Sequence, residues 1–251
     1  MHFLSPEELP SLTDRARLER GVLQVWPLSL SGEERSRARC ERLLSPAELE
    51  RARRFFHERD RTAFVFSHGL MREVLGAYCG VDGAQLEFAA AEFGKPALAL
   101  DGQPFASSVS FNLSHSHGRA LLAVSDGGEI GVDIEREDAR TDVLALASRY
   151  FFGSEFDAIR DAPDALRTGT FFRFWAAKEA VLKAQGSGLS VPLDRFHVIF
   201  DDNLATAAVE SLDTARIDSG WFIRRVVCEP GWHAAVAAQT PHWQLRVIQP
   251  T

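Results

Sequence analysis

Alternating apolar and polar residues divide the chain into short strand-like runs and longer helix-like runs. Strands are predicted at residues 21–30, 108–113, 120–124, 130–134, 196–200, 221–227, 233–238 and 243–248. Helical patterns are predicted over residues 143–160 and 165–185, and one or two amphipathic helices over 50–78. Ser45 followed by Pro46 and Glu48 is typical of a helix start, and residues 114–118 are predicted to join two strands as a loop.

A glycine-rich turn divides these elements into two groups. Asp126, Gly127 and Gly128 precede the strand at 130–134, and we place a lobe boundary there, giving lobes 1–127 and 128–251. The chain has enough apolar mass for one large domain or two small lobes, with 45% hydrophobic and 25% charged residues. No internal repeat relates the two halves.

Charge and composition exclude several classes of partner. A net charge of -7 argues against general affinity for nucleic acid or acidic membranes, so an anionic ligand would need a local cluster of bases. Three cysteines in no metal-ligand spacing fit thiols in a reducing compartment. Neither a signal-peptide pattern nor a stretch of about 18 apolar residues occurs, so a cytoplasmic location is expected.

Lysine is rare, and each lysine lies in a short motif. Only three of the 28 basic residues are lysines, namely Lys95, Lys178 and Lys183. Lys95 follows Gly94 and precedes Pro96, which predicts a rigid loop. Because arginine meets most needs for positive charge, the remaining lysines suggest sites where a compact ammonium is required. A composition biased toward arginine is the ordinary explanation.

Two acids alternate along the predicted strand at 130–134. Asp133 and Glu135 lie two residues apart and therefore project from one face. At about 5 Å they would repel by about 3 kcal/mol at an effective dielectric near 20. Solvent at an exposed sheet edge could absorb this repulsion, and a hard divalent cation such as Mg²⁺ would absorb it better.

The helix at 165–185 carries a third acid and two of the lysines. Glu179 and Lys183 lie four residues apart, which is also the spacing of an ordinary surface ion pair worth about 0.3 to 0.5 kcal/mol. Lys178 falls within the apolar stripe of the same helix, so it must find a partner, and a structural role is predicted for it. Lys95, with Ser114 and His115, offers phosphate-binding chemistry, although such residues are also common on ordinary surfaces.

Taken in order, six segments resemble the Sfp-type 4'-phosphopantetheinyl transferases. They are LSPAELERARRFFHERDR, EFGKPAL, SFNLSHS, IGVDIE, SRYFFGSEF and FWAAKEAVLKAQGSGLSVPLDRF, between Leu44 and Phe196. The resemblance implies an α+β protein with two similar α/β lobes in one chain, a pseudo-dimeric arrangement with the active site in the cleft between them. Two lobes in one chain would remove the need for a partner subunit, so a monomer is expected.

The same resemblance implies an activity and a set of roles. The enzyme, of the holo-acyl-carrier-protein synthase type, would move the phosphopantetheine arm of coenzyme A onto a serine of an apo acyl or peptidyl carrier domain, releasing adenosine 3',5'-bisphosphate. Fatty-acid, polyketide, siderophore and peptide synthases stay open as sources of the carrier. The implied roles are Mg²⁺ binding by Asp133, Glu135 and Glu179, charge neutralisation by Lys183, and binding of coenzyme A phosphates by Lys95, Ser114, His115, Arg51 and Arg61.

Several alternatives stay open from the sequence. Glu179 is the preferred base for the carrier serine, directly or through a metal-bound water, and Glu155 is the second choice. A metal-dependent phosphohydrolase would use the same acids without needing the two loops or the Gly-rich turn at 186–188. A coenzyme A-binding protein without activity would lack a metal ligand, whereas all three acids are present.

Overall fold

The structure is a computed structural model that describes residues 1–90, 95–99, 108–212, 217, 218, 220–240 and 243–250. Its helices include α1 (Glu34–Leu43), α2 (Pro46–Arg53), α3 (Glu58–Cys79), α4 (Val143–Tyr150), α5 (Gly153–Arg160) and α6 (Asp164–Gln185). Its strands include β1 (Val22–Ser29), β2 (Phe88–Ala90), β3 (Pro96–Leu98), β4 (Val109–Ser116), β5 (Arg119–Asp126), β6 (Ile130–Arg136), β7 (Phe196–Phe200), β8 (Thr206–Ser211), β9 (Phe222–Val226), β10 (Trp232–Ala238) and β11 (Gln244–Val247). None of these helices has the length and apolar character that a membrane span requires.

The chain forms two compact units, and each contains a sheet. Unit 1 comprises Met1–Ala89, Pro96–Gly127 and Gln244–Thr251, and unit 2 comprises Ala90–Lys95 and Gly128–Trp243. This division departs from the lobes 1–127 and 128–251 in two segments. The last residues belong to unit 1 because β11 pairs in parallel with β1. Lys95 belongs to unit 2, where it contacts α6.

Unit 1 is a four-stranded sheet, in the order β11-β1-β5-β4, with helices that share its core. Its buried residues include Trp26 and Leu122 from the sheet and Leu70 from α3. The predicted helix start is confirmed, since Ser45 and Glu48 form a reciprocal capping box on α2. The helical pattern at 50–78 becomes two helices, α2 and α3, and α1 was not predicted.

The loop predicted at 114–118 is wrong in extent. Strand β4 continues through Ser116, and Ser116 pairs with Arg119 across a hairpin. Only His117 and Gly118 form the turn, and both have positive φ, of 46° and 79°. Two-residue hairpin turns of this kind match the twist of the flanking strands, so the strands stay paired up to the turn. Ser114 therefore lies on a strand and not in a loop.

Unit 2 is an antiparallel five-stranded sheet, in the order β6-β10-β9-β8-β7, with α6 packed against it. Phe171, Phe174 and Val181 of α6 enter the core of this unit. The helical pattern at 143–160 is interrupted between α4 and α5, where Glu155 accepts a hydrogen bond from the backbone NH of Phe152. Strand β8 was not predicted.

The fit of α6 on the sheet depends on Gly131 of β6. A Cβ atom at Gly131 would collide with the carbonyl oxygen of Ala180 and the backbone of Ala184. The two alanines are themselves fully buried. Close contact between helix backbone and strand backbone therefore fixes the register of α6 over β6.

Replacing Gly131 by Ala is expected to destabilise unit 2 by about 2 kcal/mol or more, because the added methyl group must displace helix backbone. Urea unfolding followed by tryptophan fluorescence measures the change. Gly153→Ala is the control, since no atom lies within 4 Å of a Cβ at that position. Equal midpoints for the two variants would contradict the tight packing at Gly131.

Candidate active site

Strand β6 supplies two acids on the face that carries Gly131. Asp133 is buried, whereas Glu135 is half-buried nearer the end of the strand. Their cross-strand partners on β10 are Ala235 and His233, respectively. Since residues two apart on a strand share a face, and Gly131 contacts α6, both carboxylates belong to the side of the sheet that α6 covers.

Helix α6 brings an ammonium onto the first of these acids. Lys183 Nζ donates to Asp133 Oδ1 at 2.6 Å. The side chain of Asp133 is 3% exposed and that of Lys183 is 30% exposed, so the pair is largely shielded from solvent. Lys183 thus forms its ion pair with Asp133 of the strand, and not with Glu179 four residues earlier on the same helix.

Glu179 is the third charged group of this cluster. Burial raises the pKa of Glu179, the nearby charge of Asp133 raises it further, and Lys183 acts in the opposite direction. A carboxylate whose pKa is raised toward neutrality accepts a proton more readily than a solvated glutamate does. The structure thus brings together Asp133, Glu179 and Lys183 from a strand and a helix.

The metal ligands that the sequence predicts are Asp133, Glu135 and Glu179. Within the described ranges, no group of three or more His, Cys, Asp or Glu side chains is arranged to hold a metal ion. The ammonium of Lys183 contacts Asp133 Oδ1. The donor chemistry nonetheless fits Mg²⁺, which prefers carboxylate oxygens together with water and phosphate oxygens.

Lys95 contacts the C-terminal end of α6. Its Nζ donates to the carbonyl oxygen of Ala184 at 2.7 Å and to Glu129 Oε2 at 2.6 Å. A cation at this end of a helix interacts favourably with the free carbonyls. Lys95 therefore contacts the residue that follows Lys183 on α6. Gly94 of the same motif lies outside the described residues.

The other predicted phosphate ligands belong to unit 1. Arg51 places its guanidinium over the ring of Phe64, 5.3 Å from the ring centre. Arg61 pairs with Glu58 one helical turn earlier, at 3.0 Å. On β4, Ser114 is buried and the next residue, His115, is exposed. Consecutive strand residues project from opposite faces, which the predicted loop did not require.

Glu155 and Lys178 form a buried pair away from these acids. Lys178 Nζ lies 2.9 Å from Glu155 Oε2, and both side chains are 0% exposed. Lys178 also donates to the carbonyl oxygens of Leu193 and Phe196, at 2.8 and 2.6 Å. The structural role predicted for Lys178 is confirmed. Glu155 is wrong as the second choice of base, because its carboxylate is enclosed and already bonded.

Sequence reasoning did not anticipate three neighbours of the site. Glu129 holds Lys95, Gly131 sets the helix contact, and His233 lies opposite Glu135. The glycine before the first acid and the predicted strand at 233–238 were visible signals for the last two. No sequence signal pointed to Glu129, because its partner Lys95 is 34 residues away.

Comparison with known proteins gives a consistent family. Residues 33–126 match the family model described as 4'-phosphopantetheinyl transferase, N-terminal, and residues 129–237 match that of the 4'-phosphopantetheinyl transferase superfamily. The chain is 35% identical over 240 residues to the 4'-phosphopantetheinyl transferase HetI of Nostoc sp., covering 95% of this chain and 94% of the relative. It is 30% identical over 221 residues to the 4'-phosphopantetheinyl transferase Sfp of Bacillus subtilis, covering 88% and 92%.

Proposed function

The chain belongs to the 4'-phosphopantetheinyl transferase superfamily, and on that premise we propose that Asp133, Glu135 and Glu179 bind Mg²⁺ while the enzyme transfers phosphopantetheine. The donor is coenzyme A, and the acceptor is a serine of a carrier domain. Transfer to acyl carrier proteins, as in a holo-acyl-carrier-protein synthase, is part of this proposal. The observation that carries it is the convergence of Asp133, Glu179 and Lys183.

The proposed reaction joins the carrier serine to the phosphorus that bears the pantetheine arm. A P–O bond forms from the serine oxygen, the bond from that phosphorus to the bridging oxygen breaks, and adenosine 3',5'-bisphosphate leaves. Mg²⁺, when bound, would neutralise charge on the diphosphate. Such a transfer needs positioning and charge neutralisation more than it needs a protein nucleophile.

Two residues of the chain have proposed roles in this step. Glu179 is the proposed acceptor of the serine proton, because its carboxylate belongs to the same cluster as Asp133 and Lys183. Lys183 neutralises charge on the diphosphate, and its ammonium is held by Asp133 until an anion arrives. The exchange of Lys183 from carboxylate to phosphate would free Asp133 for the metal.

The proposed coenzyme A phosphate ligands are Lys95, Ser114, His115, Arg51 and Arg61. For Lys95, a lysine ammonium has three donors, and two of them already bind Glu129 and the Ala184 carbonyl. One donor is thus left for a phosphate oxygen. These contacts keep the ammonium in one place, which reduces the entropy lost on binding.

The direct test incubates the protein with coenzyme A, Mg²⁺ and a small panel of apo carrier domains, followed by mass spectrometry of the carriers. Mass gain by phosphopantetheine is expected on at least one carrier, and none is expected with excess chelator. A carrier variant with the acceptor serine replaced by Ala controls for modification at other residues. Unmodified carriers across the panel would count against the proposed acceptors.

Lys183→Ala is expected to slow transfer about 10²-fold or more and to weaken coenzyme A binding, because one charged donor to the diphosphate is lost. Transfer rates by mass spectrometry and calorimetry with coenzyme A measure the two effects. Arg140→Ala is the matched control, since Arg140 is an exposed cation of the same unit that pairs with Asp138. An unchanged rate in Lys183→Ala would make its contact with Asp133 purely structural.

A further inference from the structure

A cavity of about 350 Å³ opens in unit 2 beside the first half of α6. It is formed where α6 crosses the ends of β9 and β10, and by the turn that joins these two strands. The side chains that matter to its chemistry are those of Arg173, Arg225, His233, Glu137 and Cys228. The transfer reaction uses none of them.

Two arginines line this cavity, Arg173 and Arg225. No carboxylate of the described residues forms an ion pair with Arg173 or Arg225, whereas Arg140 and Arg160 of the same unit pair with neighbouring aspartates. Arg173 Nε is buried and has no hydrogen-bond acceptor among the described residues. Arg225 Nη1 donates to the carbonyl oxygen of Leu204 at 2.9 Å.

The two arginines are close enough to repel each other. Burial lowers the pKa of Arg173, and the positive charge of Arg225 lowers it further. A half-buried guanidinium next to a second one is costly unless an anion is shared between them. The buried Arg72 of unit 1, by contrast, pairs with Glu48 at 2.8 Å.

A carboxylate is present in the cavity but is directed to another partner. Glu137 Oε1 lies 2.7 Å from His233 Nε2. Gly169 of α6 lies against this pair, and a Cβ there would be 3.0 Å from Glu137 Oε1. Glu137 is thus held by the histidine instead of neutralising an arginine, and Glu229, a second carboxylate of the lining, is exposed.

We propose that this cavity is a binding site for a small oxyanion, a phosphate or carboxylate group, held between the guanidinium groups of Arg173 and Arg225. Planar guanidinium forks bind both kinds of oxyanion through paired N–H donors. The volume admits such a group with part of the molecule that carries it.

The two arginines of the site lie apart from Asp133, although His233 of the lining is the cross-strand partner of Glu135. Arg225 is the cross-strand partner of Ala235, and Ala235 is the partner of Asp133. Two strand spacings separate the rows at Arg225 and Asp133, which is about 10 Å between their backbones. An anion in the cavity therefore does not need the residues assigned to the transfer.

The test measures binding of inorganic phosphate and of glutarate by calorimetry, with chloride at equal ionic strength as the reference. Wild-type protein is expected to bind at least one of the two, and Arg173→Gln to weaken that binding at least tenfold. Arg173→Lys keeps the positive charge but loses the paired N–H donors of the guanidinium, so its affinity should lie between those of the wild type and Arg173→Gln. Arg160→Gln, a surface arginine of α5, should bind as the wild type does.

A second readout uses Cys228, which lines the cavity. The bound anion should slow alkylation of Cys228, followed by peptide mass mapping, and should leave Cys79 of unit 1 unaffected. If Arg173→Gln does not fold, as judged by circular dichroism, Arg225→Gln tests the same site from a different element.

Phosphate could also bind at the proposed coenzyme A site. Comparing Lys183→Ala with Arg173→Gln distinguishes binding there from binding in the cavity. Binding that survives Lys183→Ala but is lost in Arg173→Gln supports the cavity. Binding that survives Arg173→Gln and Arg225→Gln, or failure of wild-type protein to bind either anion, overturns the proposal. All of these measurements use the full chain and none depends on transferase activity.

Discussion

Replacing Glu179 by Gln is expected to reduce phosphopantetheine transfer by about 10³-fold or more, because the change removes both the proposed base and a proposed metal ligand. The fold should not suffer. Burial and the charge of Asp133 raise the pKa of Glu179, so its ionised form is disfavoured in the folded protein. Removing that charge should leave the free energy of unfolding unchanged or slightly higher.

The measurement compares transfer rates and urea midpoints of the same preparations. Glu210→Gln is the matched control, because Glu210 is an exposed glutamate of the same unit, 66% exposed. Calorimetry with Mg²⁺ and coenzyme A adds a readout independent of turnover, and weaker Mg²⁺ binding is expected in Glu179→Gln. Full transfer by this variant would remove Glu179 from the mechanism, whatever its position beside Asp133.

Replacing Asp133 should affect stability differently from replacing Glu179. Asp133→Asn is also expected to abolish transfer, but it takes away the charged partner of Lys183. A small loss of stability should accompany the loss of activity, limited by the partial exposure of the ammonium. Opposite signs of the stability change in Glu179→Gln and Asp133→Asn would therefore distinguish the roles of the two carboxylates.

Local patterns predicted much of the fold, and they failed where local geometry depends on a few backbone angles. The strands at 21–30 and 130–134 and the cap at Ser45 were read correctly, because alternation and capping chemistry are local. The hairpin at His117 and Gly118 was not, since nothing in the sequence required a histidine to adopt a positive φ. Ser114 was consequently assigned to a loop.

The sequence predicted which residues form the candidate site better than it predicted the contacts between them. Motif order pointed to Asp133, Glu179 and Lys183, but the ion pair between Lys183 and Asp133 depends on the register of α6 over β6. That register follows from the backbone contact at Gly131, a tertiary feature. The partner of Lys178 was likewise open, because Glu155 lies on another helix, 23 residues away in the printed sequence.

Replacing Lys178 by Met is expected to destabilise the protein by about 3 to 5 kcal/mol near neutral pH, because it leaves the Glu155 carboxylate buried without its ammonium. The loss should be partly rescued in the double variant Lys178→Met/Glu155→Gln, which removes the unpaired charge. Urea unfolding measures both. A double variant less stable than Lys178→Met would show that the charge of Glu155 is not the source of the damage.

The same variant should show a distinctive pH dependence. Burial raises the pKa of Glu155 above its ordinary value of 4.5, and Lys178 opposes that rise, so removing Lys178 raises the pKa further. The unfolded chain titrates near the ordinary value. The deficit of Lys178→Met is thus complete above the raised pKa of the folded state and shrinks as the pH falls toward about 4.5, where both states are becoming protonated.

The pair of Lys178 and Glu155 is expected to affect the transfer rate as well as stability. Lys178 precedes Glu179 on α6, and its bonds to Glu155, Leu193 and Phe196 tie that turn of the helix to α5 and to the start of β7. Under conditions where Lys178→Met stays folded, transfer should still be slower, because Glu179 is less firmly positioned. Wild-type transfer rates in a folded Lys178→Met protein would show that the pair stabilises unit 2 without positioning the catalytic acid.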